Sequence, residues 1–197
     1  MDMRISSSQS KPAAHAVRVE IMMKERLAQV DAPIAYDFRM LANFYLNARR
    51  YEDACRIHLQ MLYFASYEGN PGLIQSLYQD LGWVALLSSD ADQARLHFSC
   101  QRATVENIHG QSKSEGIYRD SDLNLFVATY RMGKWSASWR HLLRLWRSFK
   151  GKKFGFNDFV AGWQESLDGD LTDFTRLRTM VFLETLEQAE SKDLQHA

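Results

Sequence analysis

From Ile34 to Lys150 the apolar residues recur at helical spacing in paired segments, and the turn inside each pair is short. Two helices joined so tightly must pack antiparallel. The first pair runs from about 34 to 48 and from 51 to 67. Its stripes are Ile34, Phe38, Leu41, Phe44 and Tyr45, then Ala54, Ile57, Met61, Leu62 and Ala65. Glu68-Gly69-Asn70-Pro71 combines a C-cap glycine with an N-cap before proline, so it separates the pairs. The second pair spans 73–87 and 91–107, with Ser88-Ser89-Asp90 as turn and cap.

The third pair is expected at 123–132 and 135–150, capped by Asp120-Ser121-Asp122, turned at Gly133-Lys134 and ended by Gly151. A polar loop is expected from Ile108 to Glu115. Two further helices, 157–167 and 171–192, follow around Asp168-Gly169-Asp170. A helix over 16–30 precedes everything, after a Ser-rich tail at 1–14 that reads as disordered. The expectation is therefore an all-α chain of about seven or eight helices, folded as one domain over 15–195. Its units are 34–67, 73–107 and 120–150, with C-terminal helices at 157–192.

The 197 residues carry no net charge, so no global field draws the chain to nucleic acid or anionic lipid. Hydrophobic residues make up 46%, enough for a full core. No signal-peptide core or membrane-length apolar run is visible, and Cys55 and Cys100 read as reduced, partly buried thiols. A cytoplasmic location is the expectation.

The pairs also repeat in detail. Leu41-Ala42-Asn43-Phe44-Tyr45 aligns with Leu81-Gly82-Trp83-Val84-Ala85, and Ala54 and Ala94 follow at the same interval. His58 and Phe98 come four residues later. This resembles the tetratricopeptide repeat, in which a small residue on each helix lets the two approach and an aromatic fills the gap. The third unit matches more loosely, with Trp135 where Tyr51 stands in the first. The chain departs from the family pattern in lacking the closing proline, in a repeat of about forty residues, and in His58 standing for the aromatic. The resemblance implies a short superhelix whose first helices line a concave, partner-holding groove. It places Tyr36, Arg39, Asn43 and Asn47 of the first unit, and Gln79 and Trp83 of the second, on that inner face. Arg39 and Asn43, one turn apart, look like half of a carboxylate clamp.

A second feature is the segment Tyr130–Phe156, rich in Lys and Arg and free of acids. On a helix, Trp135, Trp139, Leu142 and Trp146 share one face, expected to be core. Arg140, Arg144, Arg147 and Lys150 form the basic face. Asp158, Glu165, Asp168, Asp170 and Asp173 follow closely, so intramolecular pairing or plain solvation is the expected fate of these cations. Met22, Met23, Met40 and Met61 are read as core filling.

The six histidines show no ligand spacing, and there is no HExxH, paired CxxC, phosphate loop or nucleophile elbow. No catalytic residue, metal or cofactor is assigned. The leading expectation is a protein–protein interaction module, an adaptor or chaperone holding a client peptide or helix in the groove. The alternative is a regulatory or structural subunit docking an acidic partner, or nucleic acid, through the basic helix 135–150. An enzyme of unrecognised type is a third reading. Apolar end faces of repeat stacks also give a route to self-association.

Overall fold

The computed structural model describes residues 20–22, 24–25, 35–110, 115–153, 155–169 and 173–196. Among the described residues every regular element is helical and there is no strand. The helices are α1 (Ala35–Asn47), α2 (Tyr51–Glu68), α3 (Pro71–Leu87), α4 (Ala91–His109), α5 (Arg119–Arg131), α6 (Trp135–Arg147), α7 (Phe156–Ser166) and α8 (Asp173–His196), with a 3-10 turn at Glu115–Tyr118 before α5. The expected tail at 1–14 and most of the expected helix 16–30 lie outside the described residues; 20–22 and 24–25 are helical.

The three hairpins α1–α2, α3–α4 and α5–α6 pack side by side in chain order. Each turns in the same way. Arg49, Ser89 and Gly133 adopt left-handed backbone (φ 56°, 65° and 70°). The next amide then reaches back five residues: Arg50 N–H to Tyr45 O at 2.8 Å, Asp90 N–H to Ala85 O at 2.9 Å, and Lys134 N–H to Thr129 O at 2.9 Å. These bonds satisfy carbonyls that a helix end would otherwise leave open. The shared turn fixes a common register. Position four after it is small in all three units, Ala54, Ala94 and Ser138, and each is buried.

The gap inside each hairpin is filled by a different pair. In the second unit Phe98 lies against Gly82 so closely that an added Cβ would stand 2.2 Å from its ring. The equivalent places hold Ala42 and His58 in the first unit and Phe126 and Leu142 in the third, all buried. A bulky residue on one helix accompanies a smaller one on the other, as close packing demands.

Helix starts follow their caps. Asn70 Oδ1 accepts from Leu73 N–H at 3.1 Å with Pro71 in the first turn, and Asp90 Oδ1 accepts from Gln93 N–H at 3.0 Å. The third unit departs from expectation. Its first helix begins at Arg119, not after a cap at 120–122. Ser121 and Asp122 are buried inside the first turn, because Asp122 is drawn inward by three basic side chains described below. Ile108 and His109 complete α4 rather than opening a loop, and residues 111–114 of that loop lie outside the described residues. The helix expected to reach Lys150 ends at Arg147. Ser148 Oγ donates to Leu145 O at 2.6 Å, and a further turn carries the chain to Gly151 at φ 72°.

Two apolar clusters form the interior. One joins Phe38, Leu41, Ala42, Ala54, Met61, Leu77 and neighbours from the first three helices. The other joins Trp83, Phe98, Phe126, Leu145, Phe149 and Phe182. Burying each large side chain contributes about 2–3 kcal/mol. The last helix ties the two together. Phe174 packs against both clusters, and α8 touches α1, α5 and α7.

Candidate functional site

The face of α1, α3 and α5 assigned to a client is not open along its length, because α8 lies on it. Phe182, fully buried, meets Phe126 at 6.4 Å and Trp163 of α7 at 5.0 Å. Arg178 sits 5.1 Å over the Trp83 ring and 5.8 Å over Phe174. Trp83, expected on the inner face, is 0% exposed and belongs to the core. Its Nε1 donates to Asn124 Oδ1 at 3.0 Å, Asn124 Nδ2 donates to Gln101 Oε1 at 2.9 Å, and Gln101 Nε2 donates to Gln79 Oε1 at 3.2 Å. This chain of amides links α3, α4 and α5, and it engages Gln79 as well. On α1, Arg39, Asn43 and Asn47 are exposed, one turn apart, while the side chain of Tyr36 lies outside the described residues.

Beside α8 the interior is charged. His58 is 2% exposed; its Nδ1 lies 2.9 Å from Ala54 O, so that nitrogen carries the proton, and Nε2 faces Asp80 Oδ2 at 3.8 Å. Burial pushes the His58 pKa down, against the pull of Asp80. Burial pushes the Asp80 carboxyl up, against His58, Arg178 and Arg39. Burial likewise lowers Arg178, whose Nε is buried with no hydrogen-bond partner among the described residues. Three elements, α2, α3 and α8, thus share one partly desolvated charge cluster, with the exposed Arg39 of α1 at its edge.

The outer side of α6 differs from expectation in the opposite sense. Its core-facing residues are Ser138, Leu142 and Leu145. The tryptophans expected in the core stand half out: Trp135 is 45% exposed, Trp139 43% and Trp146 52%. Helical geometry puts them in one ridge, about 100° around the axis from Arg140 and Arg147. Trp135 stacks edge-on against Tyr130 at 4.7 Å. Arg140, Arg147 and Lys150 are exposed, and none makes an ion pair with a described residue. Asp158, Glu165 and Asp168 make no ion pair with them, Asp170 and the side chain of Asp173 lie outside the described residues, and Glu184 of α8 reaches Arg131, at 3.6 Å. Arg144 is different. Its Nε donates to Asp122 Oδ1 at 3.0 Å, and Arg102 Nη1 donates to the same oxygen at 2.6 Å. His141 Nδ1 lies 3.3 Å from it. Asp122 is 3% exposed, so the Arg102 and Arg144 guanidiniums offset the cost of burying its charge.

Met61 is core as expected, whereas Met40 is 41% exposed. Both cysteines are free and half-buried, and burial raises the Cys55 thiol. Among the described residues no cluster of three or more His, Cys, Asp or Glu could hold a metal ion, and no helix is long and apolar enough to cross a membrane. Compared with protein-family models, curated proteins and solved structures, the chain has no significant match.

Sequence reasoning missed α8 as a cover for the first helices and Asp122 as a hub. The signal for Asp122 was faint: it stands in a polar run, Arg119-Asp120-Ser121-Asp122, that reads as an ordinary helix cap. For α8, the spacing of Phe174, Arg178 and Phe182 at one turn each was readable, but it does not say which surface the stripe meets.

Proposed function

We propose that the chain is a protein-interaction module, similar in build to tetratricopeptide repeats, that docks an acidic partner on the outer face of α6. The observation that carries this reading is the half-exposed pair Trp139 and Trp146, continued by Trp135 on Tyr130, beside Arg140, Arg147 and Lys150, which make no ion pair with a described residue. Tryptophan and arginine are the residues on which interfaces concentrate their energy. Trp139 and Trp146 stand half-exposed, and cations without an ion pair among the described residues steer an acidic surface toward them. The recurrent turns and the Gly82–Phe98 contact support the repeat-like build. Such a protein acts by holding another, not by catalysis, and an adaptor role in the cytoplasm fits it.

The test is affinity capture with the wild-type chain beside Trp139→Ala and Arg147→Glu variants of unchanged helicity. A captured protein should be lost with both variants. Retention of the same partner by both would remove the reading. Binding that instead tracks added RNA, and falls steeply with salt, would point to a polynucleotide.

A second reading keeps the client on the α1 side, because Arg39 and Asn43 are exposed one turn apart beside α8. It expects Arg39→Ala to abolish capture while Arg147→Glu does not.

A further inference from the structure

Behind the α6 ridge, where α6 faces α4, the surface sinks into an open cleft of about 400 Å³. Leu125 and Thr129 of α5 form its floor. Arg95 and Arg102 line it from α4, Lys134 and His141 from the α6 side. The cations outnumber the acids. Glu106 is the acid in the wall, and it is paired with Arg102 at 3.2 Å. Arg102 also serves Asp122, so its charge is committed. Arg95 and Lys134 are not: neither makes an ion pair with a described residue. The Nε of Arg95 is buried and has no hydrogen-bond partner among the described residues. That nitrogen is closed to solvent, so a ligand oxygen would meet the outer N–H groups of the guanidinium. Lys134 is also the N-cap of α6, so the positive end of the α6 dipole lies beside this cation.

We infer that this cleft is an oxyanion site that takes a phosphate-type group, with Arg95 and Lys134 as its uncommitted cations. The guanidinium fork of Arg95 offers paired donors to two oxygens, and Lys134 adds a point charge from the opposite wall. Thr129 does not compete as a donor, since its hydroxyl donates to Leu125 O at 2.6 Å. The site does not depend on the α6 ridge being a docking surface.

The experiment is a calorimetric titration of the whole chain with inorganic phosphate, with phenyl phosphate and with a short phosphoserine peptide, each at constant ionic strength against sodium chloride. Saturable one-site binding of inorganic phosphate with Kd on the order of 1 mM or below is expected. Phenyl phosphate separates a small ester from a group carried on a chain: tighter binding by it alone indicates a small-molecule ligand, tighter binding by the peptide a modified protein. Arg95→Gln and Lys134→Gln should each weaken binding about tenfold. Arg56→Gln, an equal loss of charge on α2, should not weaken it. Lys134 lies in an exposed turn, so its variant serves if Arg95→Gln fails to fold. No saturable heat with any probe, or equal weakening by Arg56→Gln, overturns the assignment.

Discussion

Gly82 of α3 and Phe98 of α4 occupy one volume between their helices: the ring stands where a glycine Cβ would be, 2.2 Å from the nearest carbon. Phe98 cannot swing aside, because it is fully buried and edge-stacked on Trp83 at 5.8 Å. In an exposed helix Gly→Ala gains about 1 kcal/mol of propensity. Here overpacking of about 1–3 kcal/mol opposes it, and at 2.2 Å the upper end applies. Gly82→Ala should therefore lower stability by about 1–2 kcal/mol in denaturant unfolding. Adding Phe98→Leu should recover part of that loss; a stabilised single variant would contradict the packing.

The buried amides make a second test. Asn124→Ala leaves the Trp83 N–H and Gln101 Oε1 without partners, both in the core. Each unsatisfied group costs about 1–3 kcal/mol, so a loss of about 2–4 kcal/mol is expected, seen as a drop in the unfolding midpoint. A loss under 1 kcal/mol would mean that the network contributes little.

Ser89 is held at φ 65°, where a side chain is strained and glycine is not. It is exposed, and its own N–H already bonds Leu86 O at 3.1 Å. Ser89→Gly should raise stability by about 1 kcal/mol. The thermal midpoint should rise by a few degrees, with the far-ultraviolet spectrum unchanged.

The pH response has a predictable sign. His58 is buried with its pKa lowered, so below pH 6.5 the unfolded chain takes a proton that the folded chain refuses. Stability is then lost as pH falls below that point. His97, also lowered by burial, adds the same sign. Asp80, raised, opposes this at more acid pH, since the folded chain holds its proton above the ordinary carboxylate value of 3.8. Arg39 opposes the protonation of His58, and Arg178 faces Asp80. His58→Gln should flatten the loss between about pH 7 and 5.5. Asp80→Asn should steepen it, since His58 would lose the acid that favours its charged form. Unfolding midpoints measured across that range decide the matter.

Paired periodicity and turn chemistry placed the helices of the first two hairpins to within about two residues, and those of the third to within about four. Both are local properties: a cap at Asn70 or Asp90 acts within its own turn. The faces were harder. Trp83 and Trp139 look alike in sequence, each in an amphipathic helix, yet one is sealed in the core and the other stands out. What separates them is the neighbour. Asn124 and α8 close over Trp83, while nothing among the described residues covers Trp139. The equivalence of Ser138 with Ala54 and Ala94 follows from setting Trp135 against Tyr51, although the interval from Ser89 to Gly133 is four residues longer than that from Arg49 to Ser89. The added length falls in the connection before α5, which leaves the third hairpin in register with the others but shifts it in the alignment.

A row of hairpins touching only their neighbours can melt from one end, unit by unit. Here α8 reaches from the first hairpin to the third and packs into both interiors. Loosening either outer hairpin must strip apolar surface from that shared strut, so the free energy of the row is no longer a simple sum over units. The chain is thereby converted from a zipper into a clasp: it should open in one cooperative transition, and damage at its last helix should be felt as far back as Phe38 and Leu41.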